Sequence, residues 1–181
     1  MKKVVAAGTA LSFVFGVICL GLYIFFMTEA LFSLAVTFFT VFYHFAMRII
    51  VGSAVTLCRK NKTDTALFEI GDAERVFYDK IKLKKWKKHA LTYNPVLFSL
   101  KSNSYSELMH NMNNSRIGHE IIVLLSFVPI LFSAFIGGAL PFIITSVASA
   151  LFDMQFVIIQ RYNMARLSRI FLLQKNRDCH I

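Results

Sequence analysis

Two side chains able to take part in acid–base and electrostatic catalysis lie four residues apart inside an apolar stretch. His44 and Arg48 share one face if residues 30–57 are helical, because residues four apart are neighbours on a helix surface. A histidine can take a proton from a hydroxyl, and an arginine can stabilise a developing negative charge. Ionisable residues inside a membrane span usually face a cavity, a charge partner or a headgroup. The spacing therefore predicts a pocket at His44 and Arg48.

Two carboxylates, Glu120 and Asp153, are the predicted charge partners of Arg48, because each lies at or within an apolar stretch. We predict His44, Glu120 and Arg48 as catalytic residues. The base is His44, or Glu120 acting with a histidine, and the donor to an oxyanion is Arg48 or Asn163. The alternative is that Arg48 snorkels to the interface, although the end of its stretch is about 14 Å away at 1.5 Å per residue.

A second polar group follows the last apolar stretch, which ends at Ile159. Arginines alone would be the basic collar of a membrane helix, but glutamine, tyrosine and asparagine beside them are not required for a collar. We therefore predict a binding role for these residues and for basic and aromatic residues elsewhere. The predicted substrate-binding residues are Gln160, Arg161, Tyr162, Asn163, Arg166, Lys85 and Trp86.

The composition is that of an integral membrane protein. Of 181 residues, 56% are hydrophobic and 17% are charged, whereas a soluble domain has roughly 45–50% apolar residues. We predict an all-α membrane protein that forms one domain over residues 1–181, with backbone groups satisfied inside each span. Four stretches are near the roughly 20 residues that cross the hydrocarbon layer. They are residues 4–27, 30–57, 121–136 and 139–159.

Two alternatives concern these spans. The lysines before residues 4–27 also fit a signal peptide, but an apolar run of about 24 residues exceeds the roughly 7–15 of a signal peptide. Residues 121–159 also fit a re-entrant hairpin with both ends on one side of the membrane.

The basic residues predict the orientation. Residues 58–119 hold 12 Lys/Arg and 6 Asp/Glu, a net +6, and residues 160–181 hold five and one, a net +4. The opposite ends carry only Glu29 and the Gly137–Gly138 turn. The positive-inside rule therefore places both termini, the long loop 58–119 and the basic tail 160–181 in the cytoplasm of a multi-pass protein of the plasma (inner) membrane. The net charge of +10 is a topology signal, and no nucleic-acid partner is predicted.

The residue pattern of the long loop predicts secondary structure within it. Acids at Asp72 and Glu74 predict a helix start, and the following segment mixes aromatic residues with six lysines. That segment fits an interfacial element better than a solvated basic face, because tryptophan and lysine favour the headgroup level. The asparagines at 111–114 predict a loop or cap, and "SYSELMHNM" at residues 104–112 fits a short helix. Three cysteines without paired spacing predict neither disulfides nor a zinc site, so no metal or cofactor is expected.

Three elements resemble the glycosyl-4,4′-diaponeurosporenoate acyltransferases, which add a fatty acyl group to a glucosylated carotenoid. Their C-terminal pattern QRYNRPRL matches residues 160–167 at six of eight positions, with Met164-Ala165 in place of Arg-Pro. Their Phe-Tyr and basic Lys-Trp-Lys element is similar to "FYDKIKLKKWKKHAL", and Glu120 precedes an apolar span with Pro129 as in the third element. The resemblance covers about residues 65–172.

The third element also departs from the family. The family commonly has Glu-x-x-His-Trp, whereas this chain has Glu120 followed by Ile-Ile-Val-Leu. His119 is an alternative base, although adjacent residues point to different faces of a helix.

The resemblance implies a bacterial membrane-embedded acyltransferase. It would move a fatty acyl group from acyl-CoA or acyl-carrier protein to a hydroxyl of a glycolipid or glycosylated isoprenoid at the cytoplasmic face. Arg161, Arg166 and the lysines at 84–88 would then bind phosphates of the donor. The missing His-Trp pair favours an alternative: a non-catalytic binder of lipids or small molecules, a transporter subunit or an assembly factor. The sequence indicates no oligomeric state.

Overall fold

The computed structural model describes residues 2–58, 68–86, 95–99 and 103–178. Within these ranges the regular structure is helical, which confirms the all-α prediction. A short 3₁₀ turn occupies Pro95–Phe98. The α-helices are α1 (Lys2–Phe26), α2 (Glu29–Cys58), α3 (Asp72–Lys80), α4 (Leu83–Trp86), α5 (Tyr105–Leu125), α6 (Val128–Ile136) and α7 (Ala139–Asp178).

Four helical segments of the described chain are long and apolar enough to cross a membrane, as the sequence predicts. They are Lys3–Phe26, Glu29–Cys58, Tyr105–Ile136 and Ala139–Leu173. Large apolar side chains of α1 remain exposed, among them Phe13, Ile24 and Phe25. An exposed apolar surface of this extent fits contact with lipid.

The chain divides into two compact units, and the organisation of residues 1–181 as one membrane domain stays a prediction. The first unit contains Met1–Ala54 and His119–Met154, and the second contains Val55–Gly118 and Gln155–Ile181. The boundaries fall inside α2, α5 and α7.

In the first unit, aromatic rings of α2 lie against glycines of α1. A Cβ added to Gly8 would be 3.0 Å from the Phe45 ring, and one added to Gly16 would be 3.2 Å from the Phe39 ring. Phe13 of α1 packs on Phe42 of α2 with ring centroids 5.2 Å apart. Glycine therefore allows the phenylalanines of α2 to approach the α1 backbone.

A proline separates α5 from α6 in the first unit. Pro129 lies in the first turn of α6 and has no N–H to give to the carbonyl four residues earlier, that of Leu125. The hydroxyl of Tyr43 donates to the Leu125 carbonyl oxygen at 3.0 Å. A side chain of α2 thus replaces the hydrogen bond that the proline removes. The helix pair then turns at Gly137 and Gly138, whose positive φ angles of 79° and 64° favour glycine.

In the second unit, α5 begins well before the span predicted at residue 121. Ser104 and Glu107 form a capping box: the Glu107 carboxylate accepts from the Ser104 N–H at 2.7 Å, and the Ser104 hydroxyl accepts from the Glu107 N–H at 3.3 Å. The prediction of a loop or cap at residues 111–114 is wrong, because these residues lie inside α5. Asn111 donates to the Leu97 carbonyl at 3.1 Å, so one of these amides serves tertiary packing.

Two apolar clusters form the core of the second unit. One consists of Leu108, Met109, Met112, Met164 and Leu167, and the other of Tyr78, Leu83 and Ile159. The predicted start of α3 at Asp72 is confirmed. Of the predicted loop, residues 59–67, 87–94 and 100–102 lie outside the described residues. Its interfacial position stays a prediction.

The helix that carries the last span does not end at Ile159. α7 continues through Gln160 to Asp178 and contains 40 residues, or about 60 Å at 1.5 Å per residue, twice the thickness of the hydrocarbon layer. Residues 160–178 of the predicted tail are therefore helical. The continuation follows from burial, since Met164, Leu167 and Ser168 are buried in the second unit.

We expect Gly16→Leu to destabilise the protein by about 1–3 kcal/mol, the range for overpacking a filled contact. The added side chain would collide with the Phe39 ring. Thermal unfolding in detergent measures the effect.

Gly21→Leu is the matched control in the same helix, because a Cβ at Gly21 meets nothing within 4 Å. Equal melting temperatures for the two variants would contradict the packing of α1 on α2.

Candidate active site

A fully buried carboxylate in the first unit binds two basic side chains. Asp153 of α7 has an exposed fraction of 0%. Its Oδ2 accepts from Nη2 of Arg48, and its Oδ1 accepts from Nδ1 of His119 at 2.8 Å. Of the two acids predicted as partners of Arg48, Asp153 forms the ion pair, and the guanidinium is directed to this carboxylate inside the unit. An unpaired charge at this depth would be strongly unfavourable, so Arg48 and Asp153 compensate each other.

Serines complete a buried polar cluster, defined here as Arg48, His119, Ser126, Ser149 and Asp153. The Arg48 guanidinium also donates to the Ser149 hydroxyl at 2.9 Å, and the two serine hydroxyls are 3.0 Å apart. The second terminal nitrogen of Arg48 donates to the carbonyl of His44 at 2.8 Å. The cluster is therefore ordered by hydrogen bonds from α2, α5 and α7 within the first unit.

His119 has the arrangement of a general base. A carboxylate that accepts from Nδ1 fixes the tautomer, so the proton-accepting lone pair of the neutral ring is on Nε2. The His119 side chain is 26% exposed, whereas Asp153 is enclosed. The pair thus joins a buried orienting acid to a histidine that reaches the surface of the unit. Glu120, the alternative predicted base, is partly exposed and follows His119 on α5.

His44 is buried without such an arrangement. Its exposed fraction is 4%, and neither ring nitrogen has a hydrogen-bond partner among the described residues. The same is true of the Ser146 hydroxyl on α7 and of Nε of Arg48. Unpaired polar atoms in a buried place are rare and call for an explanation.

An apolar groove of about 220 Å³ lies in the first unit. Its lining comes from α2, α6 and the start of α7 and includes the proline of the α5–α6 break. The lining residues are Val36, Phe39, Thr40, Tyr43, Pro129, Phe132, Ile136 and Phe142.

The second unit contains a separate ion pair. Nε and Nη2 of Arg161 donate to the two carboxylate oxygens of Glu74, at 2.7 Å and 2.8 Å. The hydroxyl of Tyr78 also donates to Glu74, and the Tyr78 ring meets the ring of Tyr162 edge-on at 5.8 Å. These contacts bind α3 to α7.

The electrostatics of Glu74 and Tyr78 follow from these contacts. The Arg161 guanidinium holds the pKa of the Glu74 carboxyl below its ordinary value, against the opposing effect of burial. Burial, and then donation to the Glu74 carboxylate, raise the pKa of the Tyr78 hydroxyl well above its ordinary value. At neutral pH the pair is thus a charged Glu74 with a protonated Tyr78.

The other predicted binding residues are dispersed over the second unit. Gln160 donates to the Ser115 hydroxyl at 3.4 Å, and Asn163 is partly buried. Arg166 on α7 and Lys85 on α4 are exposed. Trp86 ends α4, and its side chain lies outside the described residues. In the described ranges, His, Cys, Asp and Glu form no group of three that could hold a metal ion.

Three residues make contacts in the structure that the sequence did not predict for them. Asp153 was considered only as a charge partner, His119 only as a substitute, and Glu74 only as part of a helix start. The spacing of Ser149 and Asp153 was a usable signal, since residues four apart on α7 face the same neighbour.

Comparison with protein families gives a match over the central and C-terminal parts of the chain. Residues 62–172, more than half of the chain, match the family model described as glycosyl-4,4′-diaponeurosporenoate acyltransferase. Among curated proteins and among solved structures, nothing matches. The matched segment includes His119 and Asp153, while His44 and Arg48 precede it.

We expect the attachment of α3 to α7 to weaken in acid. A carboxyl whose folded pKa is lowered stabilises the fold fully above its unfolded pKa of about 4.3, and this stabilisation is lost as the pH falls through the lower folded pKa. Hydrogen exchange of the α3 amides between pH 7 and pH 3 measures the change.

Glu74→Gln should remove this pH dependence, whereas Glu69→Gln, a change at an exposed carboxylate before α3, should preserve it. If both variants retained the acid-induced opening of α3, the Glu74–Arg161 pair would not be its cause.

Proposed function

The chain belongs to the glycosyl-4,4′-diaponeurosporenoate acyltransferase family, and from this membership we propose that it transfers a fatty acyl group to a hydroxyl of a glycosylated isoprenoid or related glycolipid. Membership supports an acyltransferase, and four helical segments able to span a membrane support a multi-pass membrane protein. The hydrogen bond between Nδ1 of His119 and Asp153 carries the proposal for the reaction itself.

His119 acts as the general base of the proposed reaction. Its Nε2 takes the proton of the acceptor hydroxyl, whose oxygen attacks the acyl carbonyl carbon and forms a new C–O bond. Asp153 holds the ring and stabilises the imidazolium. When the tetrahedral intermediate collapses, the bond from the carbonyl carbon to the thioester sulfur breaks. The proton on His119 passes to the thiolate, so that an ester and a thiol leave.

Arg48 supplies a hydrogen-bond donor to the oxyanion of this intermediate. Its terminal nitrogens bind Asp153, Ser149 and the His44 carbonyl, while its Nε is buried without a partner among the described residues. A fixed N–H donor in a buried place is suited to a developing oxyanion, because it needs no reorganisation during the reaction. This role agrees with the predicted function of Arg48.

The assignment to His119 also accounts for the departure at the third family element. The family histidine would stand at Val123, four residues after His119 on α5. Residues four apart share a helix face, so a histidine one turn earlier presents its ring to the same side. Val123, which replaces the family histidine, is a buried apolar residue.

The acyl donor in the proposal is acyl-CoA or acyl-carrier protein, bound on the cytoplasmic side through exposed cations such as Arg166 and Lys85. Arg161 has a different task in this scheme: its charge is compensated by Glu74, so it anchors α3. Its neighbours Gln160, Tyr162 and Asn163 stay predicted substrate-binding residues. The acceptor lies at the cytoplasmic face of the plasma membrane, in keeping with the distribution of basic residues.

A non-catalytic lipid-binding protein is the second candidate. It is favoured by the replacement of the family His-Trp pair with Val123 and Leu124. The two candidates differ in one observable, the formation of an acyl ester from a donor and a glucosylated isoprenoid.

His119→Ala should lower kcat about 10²–10⁴-fold, the range for loss of a general base. The assay follows transfer of a labelled fatty acyl group from acyl-CoA or acyl-carrier protein in membranes that contain the glycolipid acceptor.

His110→Ala is the matched control, since His110 lies on α5 in the second unit and pairs with Asn114 at 2.9 Å. Wild-type rates for His119→Ala would refute the assignment of the base, and absence of product from the wild-type protein with either donor would favour the non-catalytic candidate.

The proposed orientation predicts that a cysteine at Gly138 is protected from a membrane-impermeant thiol reagent added on the cytoplasmic side, because the α6–α7 turn faces the other side. A cysteine replacing Asn176 in the C-terminal tail should be labelled in the same cells. The measurement uses a cysteine-free background, and the reverse pattern would overturn the orientation.

A further inference from the structure

The apolar groove and the unpaired polar atoms of the first unit follow one another along α2. Val36 and Thr40 line the groove, His44 is one turn further on, and Arg48 is one turn beyond that. Each lies beside the next on the helix surface, because they are spaced by four residues, and together they form a slowly winding face. The face thus changes from apolar to polar to charged over about 18 Å at 1.5 Å per residue.

On α7, which lies opposite α2 here, groove residues are likewise followed by polar residues. Phe142 lines the groove together with Val36 and Thr40, while Ser149 receives the hydrogen bond from Arg48. Ser146 lies between these two positions on α7, just as His44 lies between Thr40 and Arg48 on α2. The unpaired atoms of both helices therefore belong to one buried band at the end of the groove.

The atoms of this band fit a single small polar group. His44 offers one donor and one acceptor in its neutral form, Ser146 offers a hydroxyl, and Arg48 offers its Nε–H. His44 is 4% exposed and Ser146 is 0% exposed, so bulk water does not satisfy them. A carbonyl oxygen is the acceptor that two or three converging donors can share.

The charges beside the band select against an anion. Asp153 compensates the guanidinium of Arg48, which leaves no net positive charge for a carboxylate. The group that suits the band is therefore neutral, such as the carbonyl of an ester or thioester.

We propose that the groove and this band form the acyl-chain site, with the hydrocarbon tail of a fatty acyl ester or thioester along Val36, Phe39 and Phe142 and its carbonyl at His44, Ser146 and Nε of Arg48. This deepens the proposed function, on which it rests for the identity of the ligand as the acyl group that is transferred. Arg48 links the proposed carbonyl position to the His119–Asp153 pair, because its Nη2 binds Asp153.

The polar end of the groove distinguishes this ligand from the isoprenoid part of the acceptor. An unsubstituted isoprenoid tail carries no hydrogen-bonding group that could satisfy the band, whereas an acyl chain ends in a carbonyl. The groove lining also includes Ile136, the last residue of α6.

The test uses the full chain in lipid nanodiscs with a fatty acid methyl ester that carries a diazirine at its terminal carbon. Irradiation and peptide mass spectrometry should place cross-links on the groove residues near Val36 and Phe142. An alkane of the same length with the same diazirine should compete less well, because it lacks the carbonyl. Cross-links spread over the exposed faces of α1, or equal competition by ester and alkane, would overturn the proposal.

Two pairs of variants test the ends of the site. Ser146→Ala should weaken binding of the ester about tenfold, the effect of one lost hydrogen bond, and leave the alkane unchanged. Ser133→Ala should affect neither, since that hydroxyl donates to the Ile130 carbonyl in its own helix. Val36→Phe should weaken the longest chains about tenfold or more by shortening the groove. Leu34→Phe, at an exposed position of α2, should not.

Cross-linking and competition require no turnover, so their outcome is independent of the proposed reaction. If ester transfer is observed but the cross-links miss the groove, the acyl-chain site is wrong and the proposed function stands. If the cross-links lie in the groove and no transfer occurs, the site stands as a lipid-binding site and the proposed reaction is wrong.

Discussion

The arrangement of the first unit depends on a single buried carboxylate. Asp153 has no exposed surface and binds both Arg48 and His119, so three helices of this unit meet at one charge. In a membrane protein such a group is tolerated only with compensating partners, because water is not available to solvate it. The same requirement that stabilises the ion pair also fixes the tautomer of a histidine and the direction of a guanidinium. Structural need and chemical capability thus arise from one interaction.

In the second unit, an ion pair joins two helices outside the buried polar cluster. Arg161 belongs to the Gln-Arg-Tyr-Asn sequence that carries the strongest resemblance to the family, yet its guanidinium binds Glu74 of α3 in two places. Tyr162 packs on Tyr78 of the same short helix. Part of this sequence therefore acts as an attachment point for the segment before the basic residues of α4. A motif that identifies a family need not consist of residues that touch the substrate.

Much of the fold could be predicted because long apolar runs have few alternatives in a membrane, and the four spans and the all-α class followed from them. The sequence predicted two possible charge partners for Arg48, Glu120 and Asp153. Only the tertiary structure shows that Arg48 pairs with Asp153. His119 was predicted only as an alternative base. The neighbouring Glu120 matched the family pattern, and adjacent residues on a helix point in different directions. The short helix predicted at residues 104–112 has the observed start of α5, with capping-box spacing at Ser104 and Glu107, but its continuation beyond residue 112 was not predicted. The asparagines at 111–114 favoured a loop, because asparagine side chains stabilise turns through local hydrogen bonds. Burial of Met109 and Met112 depends on tertiary packing, which the local pattern does not show, and it keeps this segment helical.

The hydrogen bond from Tyr43 to Leu125 has a consequence for how this sequence can change. The carbonyl of Leu125 needs an outside donor only because Pro129 has no N–H. Tyr43 and Pro129 are therefore dependent on each other although they lie on different helices. A loss of the hydroxyl alone leaves an unsatisfied carbonyl in the membrane, while a residue with an N–H at position 129 makes the hydroxyl redundant. Relatives of this chain should thus keep both residues or replace both, and the order of replacement is constrained: the proline must be lost first.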